Sequence, residues 1–222
     1  MSQAADGGTM MLKTLEFFLQ IIKMVTDGYQ NKTLKEELKE EKKNGKTAKA
    51  KACGAMREAT NEFLEQNFQG KYENYKDPES GIEKRIFKAD LNGKGMPIPK
   101  NEGNMKILVS QLADEALKKS KGDLTKFKKI FGQKSQEFID GQLTDMFRNQ
   151  LKDSKDPELK EYASSIRSDA TVKNLFDAMT KKAEKWNKDH GSLKDAKAKD
   201  LFKEWRAVKI YFKVVKLAFW VS

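Results

Sequence analysis

The sequence predicts an all-α protein: a single-domain, irregular bundle of seven to nine helices with a long loop over residues 71–104. Three observations carry this expectation. Apolar residues recur at steps of three and four along nearly the whole chain, the spacing that lines one face of a helix. Helix breakers are collected in one place: Pro78, Pro97 and Pro99 fall between 71 and 104, together with Gly81, Gly93, Gly95 and Gly103. And 222 residues suffice for one domain to bury its own core.

Taken in order, the elements begin after a flexible start at 1–8. Met11, Leu15, Phe18, Ile22 and Val25 form one stripe and predict a first helix. Thr33 with Glu36 fits a capping box, so a second helix starts there and runs to Gly45. Between 35 and 47 only Leu38 is apolar, and like charges meet four residues apart (Lys35 with Lys39, Glu36 with Glu40, Glu37 with Glu41). Such pairs repel on a helix, so 35–51 is expected to be a solvated, charged arm. A third helix over 48–69 follows, with Ala52, Met56, Ala59 and Phe63 on one face. The 71–104 loop has room for a short hairpin folded at Asn92-Gly93.

Helix resumes at 104–121, marked by Leu108, Leu112 and Leu117 and ended by Gly122. Asp123 caps a helix containing Phe127, Ile130 and Phe131, and Ile139, Leu143, Phe147 and Leu151 mark another. Asp156-Pro157 is a start signal, with proline at the first helical position. Val172, Phe176, Met179, Ala183 and Trp186 predict a further helix ending at His190-Gly191. Ser192 opens the last, which carries Leu201, Trp205, Val208, Phe212, Val215 and Phe219. Its end, AVKIYFKVVKLAFWVS (207–222), also alternates like a strand from Val208 to Val214, and its lysine-flanked aromatic residues suit an anchor on a membrane surface. The unbroken spacing from Ser192 favours a helix enclosed by the others, with Arg206, Lys209, Lys213 and Lys216 as a narrow cationic row.

Composition narrows the function classes. Forty-four basic against 33 acidic residues give +11, concentrated as +4 in residues 31–51 and +6 in 151–222. Only five of the basic residues are arginines, which argues against sequence-specific reading of base edges and for diffuse attraction to anions, or for nothing beyond the codon usage of an AT-rich, bacterial genome. One cysteine and one histidine permit neither an internal disulfide nor a Cys/His zinc site, and no cofactor or metal is expected. The stretch MMLKTLEFFLQIIKMV lacks a basic leader, and no run reaches the length of a membrane span. The expected setting is cytoplasmic, with export by a non-cleaved signal left open.

Several short motifs imitate chemistry. Gly45-Lys46-Thr47 resembles the end of a phosphate-binding loop, but Glu40 stands where the first glycine belongs. Asp90, Asn92 and Gly95 imitate a calcium loop, yet Lys94 occupies a ligand position and Asn101 the place of the bidentate glutamate. Cys53 and His190 are far apart in sequence, and neither sits in a recognisable nucleophile turn. Glu58, Glu62 and Glu65 share a helix face that could do acid–base work, though a solvated face is the commoner use. The candidate binding residues are therefore cationic: Lys42, Lys43, Lys46, Lys49 and Lys51, with Arg206, Lys209, Lys213 and Lys216. The expected function is a non-catalytic protein-interaction or regulatory module with a basic surface, its partner another protein. Binding to nucleic acid or an anionic membrane surface is the alternative, and an enzyme using carboxylates and lysines the second alternative.

Overall fold

The computed structural model describes residues 2–164. Over these residues the chain forms five helices and a two-stranded antiparallel sheet, which replaces the expected all-α bundle of seven to nine helices: α1 (Ser2–Asn44), α2 (Ala48–Asn67), β1 (Gly70–Lys76), β2 (Glu83–Ala89), α3 (Glu102–Ser120), α4 (Leu124–Lys152) and α5 (Pro157–Ser164). The helices expected beyond residue 164, including the one ending at 222, lie outside the described residues.

Two mergers account for part of the lower count. In α1 the hydroxyl of Thr33 donates to the Tyr29 carbonyl at 2.6 Å, a bond to the preceding turn, so Thr33 lies inside a continuous helix instead of capping a new one. The helix then ends as the sequence implies, with Gly45 in the left-handed region (φ 72°) and its N–H on the Glu41 carbonyl at 3.0 Å. In α4 the buried residues Phe127, Phe131, Ser135, Ile139, Leu143, Phe147 and Leu151 recur every four positions without a break. Ser135 is the link that an apolar count misses, because its hydroxyl satisfies itself on the Phe131 carbonyl at 2.8 Å and can be buried.

Other boundaries follow their signals closely. Thr47 caps α2 by accepting from the Ala50 N–H at 3.2 Å, and Asp123 caps α4 through the Lys126 N–H at 2.9 Å. In α3 the buried row is Met105, Val109, Ala113 and Ala116, one position on from the expected Leu108 and Leu112, while Leu117 is exposed. The core lies where α1, α2, α3 and α4 meet, around Phe18, Ile22, Phe63, Val109, Phe131 and Leu143. Phe131 stacks on Phe127 at 5.8 Å and meets Phe17 and Phe18 at 5.9 and 6.5 Å, which ties α1 to α4. No helix among the described residues is long and apolar enough to cross a membrane.

The 71–104 region is not a loop. It is mostly the β1–β2 hairpin, with Tyr72 opposite Phe87 and Asn74 opposite Arg85. The expected hairpin at Asn92-Gly93 exists only as a small turn closed by the Leu91 to Pro97 bridge. Its Asn92 side chain accepts from the Lys94 and Met96 N–H groups, both at 3.0 Å.

Candidate interaction site: the hairpin and its clamp

The hairpin is made by its turn. Pro78 presets the backbone after Asp77, and Gly81 adopts φ 69° to return the chain. The Asp77 carboxylate accepts from the Ser80 N–H at 2.7 Å and the Ser80 hydroxyl at 2.6 Å. Lys42 from α1 reaches Asp77 at 2.7 Å and Glu79 at 2.9 Å. The Lys42 bond and then the Ser80 hydroxyl hold the Asp77 carboxyl down at about 2, against an ordinary 3.8. At the other end of β1, Gly70 is required by close approach: a Cβ there would stand 2.2 Å from the Lys88 carbonyl oxygen.

Behind the turn, β2 is locked to two helices. Lys84 reaches Glu37 at 2.7 Å and Glu41 at 2.8 Å, so one ammonium bridges a carboxylate pair that would otherwise repel across one turn of α1. Arg57 of α2 donates from Nε to Glu37 at 2.8 Å, and from Nη1 to Glu58 at 2.6 Å and to the Arg85 carbonyl at 2.7 Å. The Arg57 and Glu37 side chains are only 7% and 5% exposed, so this pair is buried. Glu37 fits because Gly54 faces it; a Cβ at Gly54 would lie 2.8 Å from its carboxylate oxygen. The first part of the stretch expected as a solvated arm is thus packed, with Glu36, Glu37, Leu38 and Glu40 buried, while residues 42–46 are exposed.

The same side of β2 has its main chain satisfied by side chains. The Phe87 N–H donates to Asn61 Oδ1 at 3.0 Å, and the Phe87 carbonyl accepts from Gln30 Nε2 at 2.8 Å. Asn61 Nδ2 donates to the Arg85 carbonyl at 3.1 Å. Polar groups of an antiparallel strand alternate in direction, so residues facing Arg85 and Phe87 also point their main chain away from the shared ladder. Those residues are Asn74 and Tyr72. Their N–H and C=O groups lie along the outer edge of β1, where no partner meets them among the described residues.

All of β1 is exposed except Tyr72, which is half-buried. Arg85 lies over the Tyr72 ring, 4.0 Å from its centre, and Phe87 meets that ring edge-on at 5.3 Å. The Tyr72 hydroxyl donates to Glu65 at 2.7 Å. Burial and the Glu65 bond push the phenol up to about 12. The ring is therefore fixed in place and neutral.

The sequence-predicted lysines divide. Lys42 is held by the hairpin turn, and Lys51 pairs with Asp156 at the start of α5. Lys43 and Lys46 are exposed at the end of α1 and beyond it, and Lys49 sits in the first turn of α2. Arg206, Lys209, Lys213 and Lys216 lie outside the described residues, as does His190. Cys53 is buried. The Glu58, Glu62 and Glu65 face is engaged one residue at a time: Glu58 with Arg57 and Asn61, Glu62 with Gln66 and Gln150, Glu65 with Tyr72. Among the described residues no group of three or more His, Cys, Asp or Glu side chains is placed to hold a metal ion.

The edge strand was missed by apolar periodicity, because Lys71-Tyr72-Glu73-Asn74-Tyr75-Lys76 contains no aliphatic residue. The signal that could find it is the turn, Asp77-Pro78 followed by Gly81, between two aromatic-containing runs. Compared with family models, curated proteins and solved structures, the chain matches none.

Proposed function

We propose that this chain is a non-catalytic protein-interaction module, and that it engages its partner by adding an extended segment to the outer edge of β1. The observation that supports this most is the combination of an exposed strand edge, unpaired among the described residues, with a hairpin fixed from behind by Arg57, Lys84, Asn61 and Gln30. A two-stranded sheet alone is marginal in water. Here it is immobilised on two helices, so an incoming strand pays little ordering cost on this side of the interface. Main-chain hydrogen bonds supply the affinity in such recognition, and the flanking side chains supply selectivity.

Binding of nucleic acid or an anionic membrane draws less support from the described lysines, since Lys42 and Lys51 already face carboxylates of this chain. The test is selection of displayed peptides against the immobilised chain, repeated with Asn74→Pro. The Asn74 N–H points outward, so proline there removes an edge donor and leaves the β1–β2 ladder intact. Extended, β-prone peptides are expected to bind the natural chain and to lose at least about tenfold in affinity with the variant, the loss of one or two main-chain bonds. Equal binding by both proteins refutes the edge as the site, and charge reversal at Lys43 and Lys46 then tests the basic surface.

A further inference from the structure

We infer that the segment fitting the β1 edge is β1 of a second copy of this chain, paired antiparallel across a two-fold axis at Tyr72. The inference rests on the edge reading above and names its occupant. Three properties of the strand select it. First, the outward main-chain groups belong to Gly70, Tyr72, Asn74 and Lys76, so hydrogen-bonded pairing between copies must match these residues with one another. Only registers whose axis passes through a residue satisfy this, and three are central enough to use the strand.

Second, side-chain charge discriminates among those three. An axis at Glu73 sets Glu73 against its own copy, which repels. An axis at Asn74 sets Lys71 against Asp77, whose carboxylate is already held by Lys42 and Ser80. An axis at Tyr72 sets Lys71 against Glu73 twice, once on each side, with Gly70 opposite Asn74 and the two Tyr72 residues adjacent. Lys-Tyr-Glu read backwards is its own complement. Third, Lys71 and Glu73 are available for this exchange: their side chains are 76% and 51% exposed, and they approach each other within one strand only to 3.9 Å.

The result is a four-stranded sheet, β2–β1–β1–β2, with six main-chain hydrogen bonds across its centre, two between the Tyr72 residues and two in each Gly70–Asn74 pair. An edge-only contact is smaller than a standard interface of about 1,200 Å² or more, so the association is weak and concentration-dependent.

Sedimentation equilibrium over a concentration series up to millimolar tests it, with far-UV circular dichroism confirming the fold of each variant. The natural chain is expected to reach a dimer, and Asn74→Pro to remain a monomer. Lys71→Glu alone and Glu73→Lys alone each turn both favourable pairs into like-charge pairs and weaken the dimer about tenfold or more. An equimolar mixture of those two variants restores it, because each carries the charges the other needs. A chain that stays monomeric at millimolar concentration overturns the inference, as does a dimer indifferent to Asn74→Pro or a mixture that fails to associate. The two readings fail separately. Peptide capture lost in Asn74→Pro beside a strictly monomeric natural chain removes the second copy and leaves the edge. Peptide capture indifferent to Asn74→Pro removes the edge itself.

Discussion

Replacing Arg57 by alanine probes the clamp at its centre. The guanidinium serves three acceptors, Glu37, Glu58 and the Arg85 carbonyl, at 2.6–2.8 Å. Breaking a buried ion pair from one side typically costs about 3–5 kcal/mol, because the other charge is left desolvated. Two features lower that figure here. Glu37 keeps Lys84 at 2.7 Å, and the Arg85 carbonyl keeps Asn61 at 3.1 Å. The expected loss is therefore about 3 kcal/mol, a fall in Tm of about 6–12 °C for a chain of this length. Urea denaturation followed by circular dichroism measures it. Glu37→Ala should cost a similar amount, and the double variant less than the sum by at least about 1 kcal/mol, since the second change removes a charge that the first left uncompensated. Arg57→Lys should recover little, as one ammonium cannot span the three acceptors that the planar fork meets. A cost below about 1 kcal/mol for Arg57→Ala, with additive single variants, would show that the hairpin is held by something else.

Two further expectations concern stability away from the edge. Gly54 and Gly141 both lie within helices, where alanine is intrinsically favoured by about 1 kcal/mol. Gly141→Ala, with nothing within 4 Å of the added methyl, should realise that gain, whereas Gly54→Ala should destabilise by about 1–2 kcal/mol by pressing on a Glu37 carboxylate that Arg57 and Lys84 hold still; thermal melts of the two variants should move in opposite directions. Asp140 on α4 is raised from 3.8 to about 6 by burial first and by Glu137 second, and the phenol of the buried Tyr29 of α1 is pushed up by its own burial first and by the Asp140 charge second. A carboxyl with a raised native value favours folding while protonated, so its contribution is complete below about 4 and is lost as pH rises through about 6. Asp140→Asn should accordingly stabilise at neutral pH, by at most about 3 kcal/mol, and give no advantage near pH 3; melting curves across that range decide it.

What the sequence disclosed depended on which interaction placed each residue. Helices built on apolar stripes and caps were legible: α2 with its Ala52, Met56, Ala59 and Phe63 face, the Asp123 start of α4, and the Asp156-Pro157 start of α5 all follow local signals. The break expected at Thr33 was a capping signal overruled by packing, since Tyr29, Thr33 and Leu34 are buried and the helix runs on beneath the hairpin. The charged half of α1 was illegible for a stronger reason. Its apparent fault, glutamates four apart, is cured by Lys84, which lies 43 residues beyond Glu41, and by Arg57, which lies 20 residues beyond Glu37. No local pattern contains that pairing. The lysine cluster was legible as charge but not as contact, because its positions do not say that Lys42 turns toward Asp77 and Lys51 toward Asp156.

The edge strand and the charged helix explain each other. Residues 35–44 have almost no apolar surface to bury and carry carboxylates spaced to repel, so as an isolated helix they would gain little. The β1–β2 hairpin, for its part, is too small to stand alone. Each supplies what the other lacks. The hairpin brings Lys84 to the carboxylates and Ile86 to Leu34 and Leu38, while α1 brings Gln30 to the strand's main chain and Lys42 to its turn. Every one of these contacts falls on β2 or on the turn. None falls on β1, whose outer edge meets no partner among the described residues. Natural sheets commonly blunt such an edge by covering it, bulging it or placing proline in it. Here β1 has regular pairing over all seven residues and no proline, and its lysines alternate with glutamate and tyrosine instead of forming a uniformly repelling row. An edge protected only against strands of its own charge pattern in the wrong register is an edge suited to a strand in the right one, and that asymmetry between the two sides of the hairpin is the strongest reason to look for the partner there.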